Sequence, residues 1–229
     1  MIQLLRKTIR KGWRPNGLFR LKTAAGPVRY RIVQAEPGKR PTLVVGLHGF
    51  GSDERQVETM LALDLPGPVV YLAPRGPLSE GRGFSWFELL ASPDGVPVPP
   101  GGAMAHALEH LSAFTYAAQR AWSTDPARTV LVGYSQGGAL ALAASQRAAR
   151  PFTAVATLAV GIGQLAPPRT PLFLGYGTLD PFTQPETVRQ RLAEWAGANV
   201  TASEVAAPHV VTAQHRADLN AWLRGRLQE

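Results

Sequence analysis

RTVLVGYSQGG, residues 128–138, is the most informative segment of this sequence. It opens with apolar residues typical of a buried strand and continues into an alanine-rich run, residues 139–149, typical of a helix. Between them, Gly133 and Gly137 flank Ser135 in the spacing Gly-x-Ser-x-Gly. A tight strand-to-helix turn requires residues without side chains on both sides of the serine. The segment therefore predicts a serine nucleophile at the end of a strand, in preference to a structural turn with an incidental serine.

Apolar runs of the same kind recur on both sides of this segment. Buried strands are predicted at Thr42–Leu47, Val69–Ala73, Thr129–Gly133, Ala154–Ala159 and Leu172–Gly175, with a further strand near 199–205. Helices are predicted near 53–64, 102–122, 136–149, 185–197 and 211–227. Alternation of strand and helix predicts an α/β fold with a mostly parallel central sheet and helices on both faces.

The beginning of the chain has a different pattern. Leu18–Thr23 and Val28–Val33 predict an antiparallel hairpin at the sheet edge, with its turn at Ala25–Pro27. Residues 1–16 are predicted to be a basic segment with a short helical turn, and residues 17–229 a single catalytic domain. The Pro/Gly-rich stretch 92–102 reads as a surface loop within that domain.

Composition and charge restrict the possible functions. The 229 residues include no cysteine, which excludes disulfides, thiolate metal sites and cysteine nucleophiles. No apolar stretch approaches the ~18 residues of a membrane span, and the first residues lack the order of a signal peptide, so we expect a cytoplasmic protein. Residues 1–40 carry eleven Lys or Arg and one acid. This basic region permits weak contact with an anionic surface but predicts no specific nucleic-acid partner, and a solvated strand face is the simpler interpretation.

A serine nucleophile needs a base, and five histidines are available: His48, His106, His110, His209 and His215. In folds with this turn the order along the chain is serine, acid, histidine. His209 and His215 satisfy that order. His209 follows the last predicted strand, where ligands bind in open α/β sheets, whereas His215 lies within the last helix and is expected to be solvated. We therefore predict His209 as the base.

The acid that orients the base should follow an intervening strand. Asp180 ends the segment LFLGYGTLD, residues 172–180, and Pro181 prevents a helix from starting at once. Glu186 and Glu204 are the alternatives, and a turn or cap role for Asp180 is the competing interpretation. The pattern favours Asp180.

Acyl transfer also needs two N–H donors for the oxyanion. The residue after the nucleophile, Gln136, supplies the first, and the loop after the TLVVGL strand supplies the second, which we assign to Phe50. Gly49 and Gly51 let that loop approach a substrate closely. His48 is expected to hold the loop through hydrogen bonds, since it precedes the serine.

One segment imitates a metal site. His106–His110, HALEH, matches the His-x-x-Glu-His pattern of some zinc proteases. No third ligand is evident in the sequence, so we predict no metal and no cofactor, and interpret the segment as a polar helix face.

These segments together resemble the phospholipase/carboxylesterase family of α/β hydrolases. The resemblance covers residues 17–226 and rests on LHGFGSDE (47–54), APRGP (73–77), GFSWFEL (83–89), DPARTVLVGYSQGGALAL (125–142), TPLFLGYGTLDP (170–181) and His209, thirteen residues before Trp222. It implies the same nucleophile, acid and base, with Phe50 and Gln136 as oxyanion donors. The chain departs from the family pattern at Pro208, where glycine is usual, at Val210–Val211, and at Tyr176, where histidine is common.

The sequence therefore predicts a serine hydrolase that cleaves carboxylic esters or thioesters of small acyl substrates. Phe84, Trp86 and Phe87 are predicted to line an apolar acyl pocket, with ordinary core as the competing interpretation. A peptidase or lactone hydrolase with the same residues is an alternative, as is a non-catalytic protein that binds an anionic partner. Acyl length, leaving group and oligomeric state are not encoded in any motif.

Overall fold

The computed structural model describes residues 17–36, 38–65, 67–91, 97–147, 152–163 and 166–227. The helical turn expected in residues 1–16 lies outside these ranges. The strands are β1 (Leu18–Thr23), β2 (Gly26–Ala35), β3 (Thr42–Leu47), β4 (Val69–Pro74), β5 (Leu78–Glu80), β6 (Gly83–Ser85), β7 (Thr129–Tyr134), β8 (Ala154–Leu158), β9 (Leu172–Gly177) and β10 (Val200–Val205). The helices are α1 (Glu54–Met60), α2 (Ala103–Trp122), α3 (Gln136–Ser145), α4 (Pro185–Glu194) and α5 (Ala213–Leu227).

Eight of these strands form one sheet in the order β1-β2-β4-β3-β7-β8-β9-β10. In this sheet, neighbouring strands within β4-β3-β7-β8-β9-β10 pair in parallel, while β2 is antiparallel to both β1 and β4. The predicted fold class, a mostly parallel sheet with an N-terminal antiparallel hairpin, is confirmed. Because the parallel strands share one direction, the loops that follow β3, β7, β9 and β10 all leave from the same edge of the sheet.

The first hairpin turns one residue earlier than the sequence suggested. Thr23 pairs with Gly26, so the two turn residues are Ala24 and Ala25 rather than Ala25–Pro27. Thr23 Oγ1 donates to the Gly26 carbonyl and accepts from the Ala25 N–H, which closes the turn. Gly26 has a φ of 100°, a conformation that side chains disfavour, and this fixes its place directly after the turn.

The core has two layers, one on each face of the sheet. One layer packs beneath α2, α3 and α4 and includes Phe114, Leu140 and Val188. The other packs beneath α1 and α5 and includes Val57 and Leu219. Strands β3, β4, β7, β8 and β9 are buried along their whole lengths, as their continuous apolar runs predicted.

Two features of the elements bear on the sequence predictions. A separate two-stranded sheet, formed by β5 and β6, was not predicted, and Phe87, two residues after it, lies at the site. In the described part of the chain, no helix combines the length and the apolar character that crossing a bilayer would require.

Candidate active site

Ser135 lies in a strained turn between β7 and α3. Its backbone angles are φ 51° and ψ −120°, outside the usual regions for a residue with a side chain. The neighbouring glycines are required by contact distance: a Cβ on Gly133 would lie 2.3 Å from the Gly137 carbonyl oxygen, and a Cβ on Gly137 would lie 2.4 Å from that of Leu47. The Ser135 N–H donates to the Leu158 carbonyl at 2.9 Å, which ties the turn to β8. The turn presents the serine at the carboxyl end of the sheet.

The structure brings together Ser135, His209 and Asp180. His209 Nε2 lies 2.9 Å from Ser135 Oγ, and His209 Nδ1 lies 2.7 Å from Asp180 Oδ2. The Asp180 side chain is fully buried and the imidazole is 24% exposed. A carboxylate can only accept a hydrogen bond, so Nδ1 carries the proton and Nε2 is left to accept from the serine hydroxyl. This chain of groups can move a proton from the hydroxyl to the imidazole.

Three strands set this geometry. Ser135 follows β7, Asp180 follows β9 by three residues, and His209 follows β10 by four. Asp180 is held in turn by the Phe182 N–H, which donates to its Oδ1 at 2.9 Å. The rings of Phe182 and His209 meet edge to face, with centroids 5.1 Å apart. The side chains therefore converge because the carboxyl ends of neighbouring parallel strands converge.

The alternatives for base and acid lie elsewhere. His215 was expected to be solvated, but it is buried: its Nε2 donates to the Tyr176 carbonyl at 3.1 Å and its Nδ1 accepts from the Thr212 N–H at 3.3 Å. That expectation was wrong because the first turn of α5 packs onto β9. Glu186 and Glu204 both pair with Arg189 at the surface. None of these three contacts Ser135.

The two predicted oxyanion donors belong to loops on either side of the serine. Gln136 is the first residue of α3, where a helix leaves its N–H without an intrahelical partner. Among the described residues, no backbone carbonyl accepts from the Phe50 N–H. Both residues and Ser135 line the same cavity. The Gly49 N–H donates to Gln56 Oε1 at 2.7 Å, so α1 holds the Phe50 loop.

His48 is the centre of a buried support for this loop. Its Nε2 accepts from the Gly76 N–H at 3.0 Å, and its Nδ1, 2.8 Å from the Gly49 carbonyl, donates to it. The His48 carbonyl accepts from Trp86 Nε1 at 2.8 Å. Burial lowers the pKa of His48, which keeps the ring neutral, as accepting at Nε2 requires. The expected loop-holding role agrees with these contacts.

A second support is an ion pair beneath the same loops. Arg75 forms two hydrogen bonds with Glu54, from Nε to Oε2 at 2.7 Å and from Nη2 to Oε1 at 2.8 Å. Glu54 is 2% exposed, so the pair joins α1 to the end of β4 in a largely desolvated position. The Arg75 guanidinium also lies 4.2 Å above the Phe84 ring. Paired and bidentate charges of this kind fix geometry more than they add stability.

The three aromatic residues predicted to line the acyl pocket occupy different places. Phe87 lines the cavity at Ser135. Trp86 is buried on the far side, with its ring 4.9 Å from that of His48, and Phe84 lies beneath Arg75. The β5–β6 hairpin turns the chain so that only the last of the three faces the serine.

The side chain of Gln136 has a role that the sequence did not suggest. Its Oε1 accepts from the Trp86 N–H at 2.8 Å, and its Nε2 donates to the Phe87 carbonyl at 2.6 Å. Gln136 therefore clamps the backbone that carries Phe87. No local pattern reveals this pairing, because its partners lie 49 and 50 residues away.

The cavity at Ser135 is predominantly apolar and has a volume of about 500 Å³. Its walls include Phe87, Leu89, Met104 and Val160, and its mouth is bordered by the exposed side chains of Phe50 and Phe182. Among its described lining residues, His209 is the only one whose side chain can carry a charge near neutral pH. Such a cavity favours an uncharged, apolar group beside the serine.

The histidine pair of the metal-like segment lies apart from this site. His106 and His110 both border another cavity, on the opposite side of Phe87, and burial lowers the pKa of His110. Within the described ranges, no three histidine, aspartate or glutamate side chains are grouped so that they could hold a metal ion.

Comparisons with known proteins agree with this architecture. The model of the phospholipase/carboxylesterase family matches residues 29–218, most of the chain, so the protein belongs to the phospholipase/carboxylesterase family of α/β hydrolases and is a hydrolase of the carboxylesterase type. No curated protein sequence matches it significantly.

Solved structures share the fold at low sequence identity. A carboxylesterase of Bacillus cereus is 18% identical over 87% of this chain and 94% of its own, with a TM-score of 0.72. Esterase PE8 is 23% identical over 95% of this chain and 100% of its own, with a TM-score of 0.70. A carboxylesterase from Mesorhizobium loti is 22% identical over 92% and 100%, also with a TM-score of 0.70.

Proposed function

We propose that the protein hydrolyses carboxylic esters or thioesters of uncharged, apolar acyl groups through Ser135, His209 and Asp180. The observation that carries the proposal is the hydrogen-bonded chain from carboxylate to imidazole to hydroxyl, which ends in an apolar cavity. The family contains carboxylesterases, and the similar structures named above are carboxylesterases and an esterase.

In the proposed reaction, Ser135 Oγ attacks the acyl carbonyl while His209 Nε2 takes its proton. The carbonyl oxygen gains the negative charge, and the N–H groups of Phe50 and Gln136 stabilise it, aided by the positive end of the α3 dipole. Collapse of this intermediate breaks the bond to the leaving alkoxide or thiolate, which receives the proton from His209. An acyl ester of Ser135 remains.

The second half of the reaction repeats these steps with water. His209 takes a proton from the water as it attacks the acyl-serine, and returns that proton to Ser135 Oγ as the carboxylic acid leaves. Asp180 keeps the Nδ1 proton in place throughout and stabilises the imidazolium. Every step uses water, side chains and backbone N–H groups of this chain, so the proposal requires no cofactor.

The chemistry of the cavity defines the substrates that should react. We expect p-nitrophenyl esters of unbranched aliphatic acids, and the matching thioesters, to be hydrolysed with a kcat/KM at least about 10²-fold above that of a p-nitrophenyl ester whose acyl group ends in a carboxylate, because a buried unpaired charge is costly. A panel that varies acyl length and terminal charge, with one leaving group throughout, measures this.

Two outcomes of that panel would contradict the proposal. Equal turnover of the charged and neutral esters would show that the apolar cavity does not select the acyl group. Absence of turnover for every ester and thioester, in protein with a normal thermal unfolding transition, would show that the protein is not an ester or thioester hydrolase.

A further inference from the structure

The hydroxyl of Tyr134 binds the backbone of the residue that we propose as the base. Tyr134 is the last residue of β7 and directly precedes Ser135. Its Oη donates to the carbonyl oxygen of His209 at 2.8 Å, across 75 positions of sequence. Its ring also lies against the imidazole, with centroids 5.3 Å apart. The neighbour of the nucleophile thus contacts both the backbone and the ring of the base.

The loop that carries His209 is fixed at both of its ends by other groups. At its start, the Leu179 N–H donates to the Ala207 carbonyl at 3.1 Å. At its end, Thr212 and His215 exchange hydrogen bonds, and Arg216 Nη1 donates to the Val211 carbonyl at 3.1 Å. In the middle, the Val210 N–H turns back to the Pro208 carbonyl at 2.7 Å. The phenol of Tyr134 therefore supplies the tie that joins the middle of this loop to β7.

This middle region is also where the sequence departs from the family pattern, with Pro208 before the histidine. Proline has no N–H, so residue 208 cannot donate a backbone hydrogen bond that would hold the loop. The carbonyl of His209 faces inward instead and accepts from a phenol that is 8% exposed. Burial raises the pKa of Tyr134 to about 12, so the hydroxyl keeps its proton and remains a donor.

We propose that Tyr134 is a positioning residue for the base: its hydroxyl holds the His209 backbone so that Nε2 stays within hydrogen-bond distance of Ser135 Oγ. This inference rests on the proposed function. The 2.9 Å contact between base and nucleophile joins two loops, and a small displacement of either loop lengthens it. Because Tyr134 and Ser135 are adjacent, the hydrogen bond from the phenol holds the base at a fixed position relative to the end of β7, which also carries the nucleophile.

The test is Tyr134→Phe, which removes one oxygen and keeps the ring contacts. We expect kcat for a p-nitrophenyl ester to fall about tenfold with KM within about twofold, the scale of one buried hydrogen bond. The second-order rate constant for labelling by a fluorophosphonate should fall by a similar factor. Partial unfolding would reduce the amount of labelled protein but not this rate constant, so the labelling rate separates positioning from a merely structural role.

Tyr71→Phe is the matched control, since Tyr71 on β4 is another buried tyrosine whose ring lies against Gly46, away from the cavity. It should leave both rate constants within about twofold of the original protein. If Tyr134→Phe also labels and turns over at the original rates, the positioning role is overturned. Ser135→Ala in parallel distinguishes the two proposals: if it still labels and turns over, the proposed function fails, whereas an inert Ser135→Ala beside an unimpaired Tyr134→Phe overturns only the role of Tyr134.

Discussion

His209→Ala is expected to lower kcat for a p-nitrophenyl ester by at least about 10⁴-fold, because in the described part of the chain no other side chain is hydrogen-bonded to Ser135 Oγ and placed to take its proton. The loss should appear in kcat rather than KM, since the imidazole accepts the proton in the transition state whereas the cavity walls bind the acyl group. Steady-state kinetics on protein with an unchanged thermal unfolding transition measure the effect. The imidazole is partly exposed, and Asp180 keeps the hydrogen bond from the Phe182 N–H when the imidazole is removed, so the fold should persist.

His215→Ala provides the contrast. This histidine is 1% exposed and its two ring nitrogens are both hydrogen-bonded, so its loss removes two hydrogen bonds from a buried position. We expect the free energy of unfolding to fall by about 1–3 kcal/mol. The turnover number per labelled serine should change by less than about tenfold. If His215→Ala is fully folded but inactive while His209→Ala is active, the base has been assigned to the wrong histidine.

Asp180→Asn has the second large expected effect, a loss in kcat again near 10⁴-fold. An asparagine can still accept from the Phe182 N–H through its oxygen, as Asp180 Oδ1 does now, so the local backbone should keep its shape. Its amide nitrogen would then face His209 Nδ1 and donate to it. The imidazole proton would be driven to Nε2, which could no longer accept from Ser135.

Glu204→Gln is the matched control for this substitution, because it also replaces a carboxylate by an amide, in a residue that the sequence analysis gave as an alternative for the acid. Glu204 pairs with Arg189 at the surface and does not approach the serine. Its variant should retain kcat within about twofold, since surface pairs contribute little. Comparable losses in the two variants, or retention of activity in Asp180→Asn, would contradict the role assigned to Asp180.

The parts of the site that follow from local backbone geometry could be predicted from sequence. Gly133 and Gly137 indicate a turn in which a Cβ would collide with neighbouring carbonyls. The apolar run before them indicates a strand buried on both faces. The order of the strands then places Asp180 and His209 at the same sheet edge as Ser135. These inferences need only spacing, pattern and chain order.

The burial of His215 was missed although the sequence carries a signal for it. His215 stands four residues before Leu219, and Leu223 and Leu227 continue the same row along α5. Residues four apart share a helix face, so the histidine lies on the side that packs against the sheet. Its polar character outweighed this spacing in the prediction.

Other features depend on contacts between distant segments, and no local pattern encodes them. The β5–β6 hairpin consists of two three-residue strands, too short for a periodicity to be recognised, yet it directs Phe87 towards the cavity and Trp86 towards His48. The partners of the Tyr134 hydroxyl and the Gln136 amide lie 49 to 75 residues away in sequence. These contacts depend on how the loops fold over the sheet edge.

Covalent labelling with a fluorophosphonate, followed by mass spectrometry of the proteolytic peptides, is the decisive test of Ser135 as the nucleophile. This reagent reacts with a serine hydroxyl only when a neighbouring base and oxyanion donors activate it. We expect one adduct per chain, located on Ser135, and none in Ser135→Ala. An adduct on a different residue, or labelling that survives Ser135→Ala, would contradict the assignment of the nucleophile and of the site built around it.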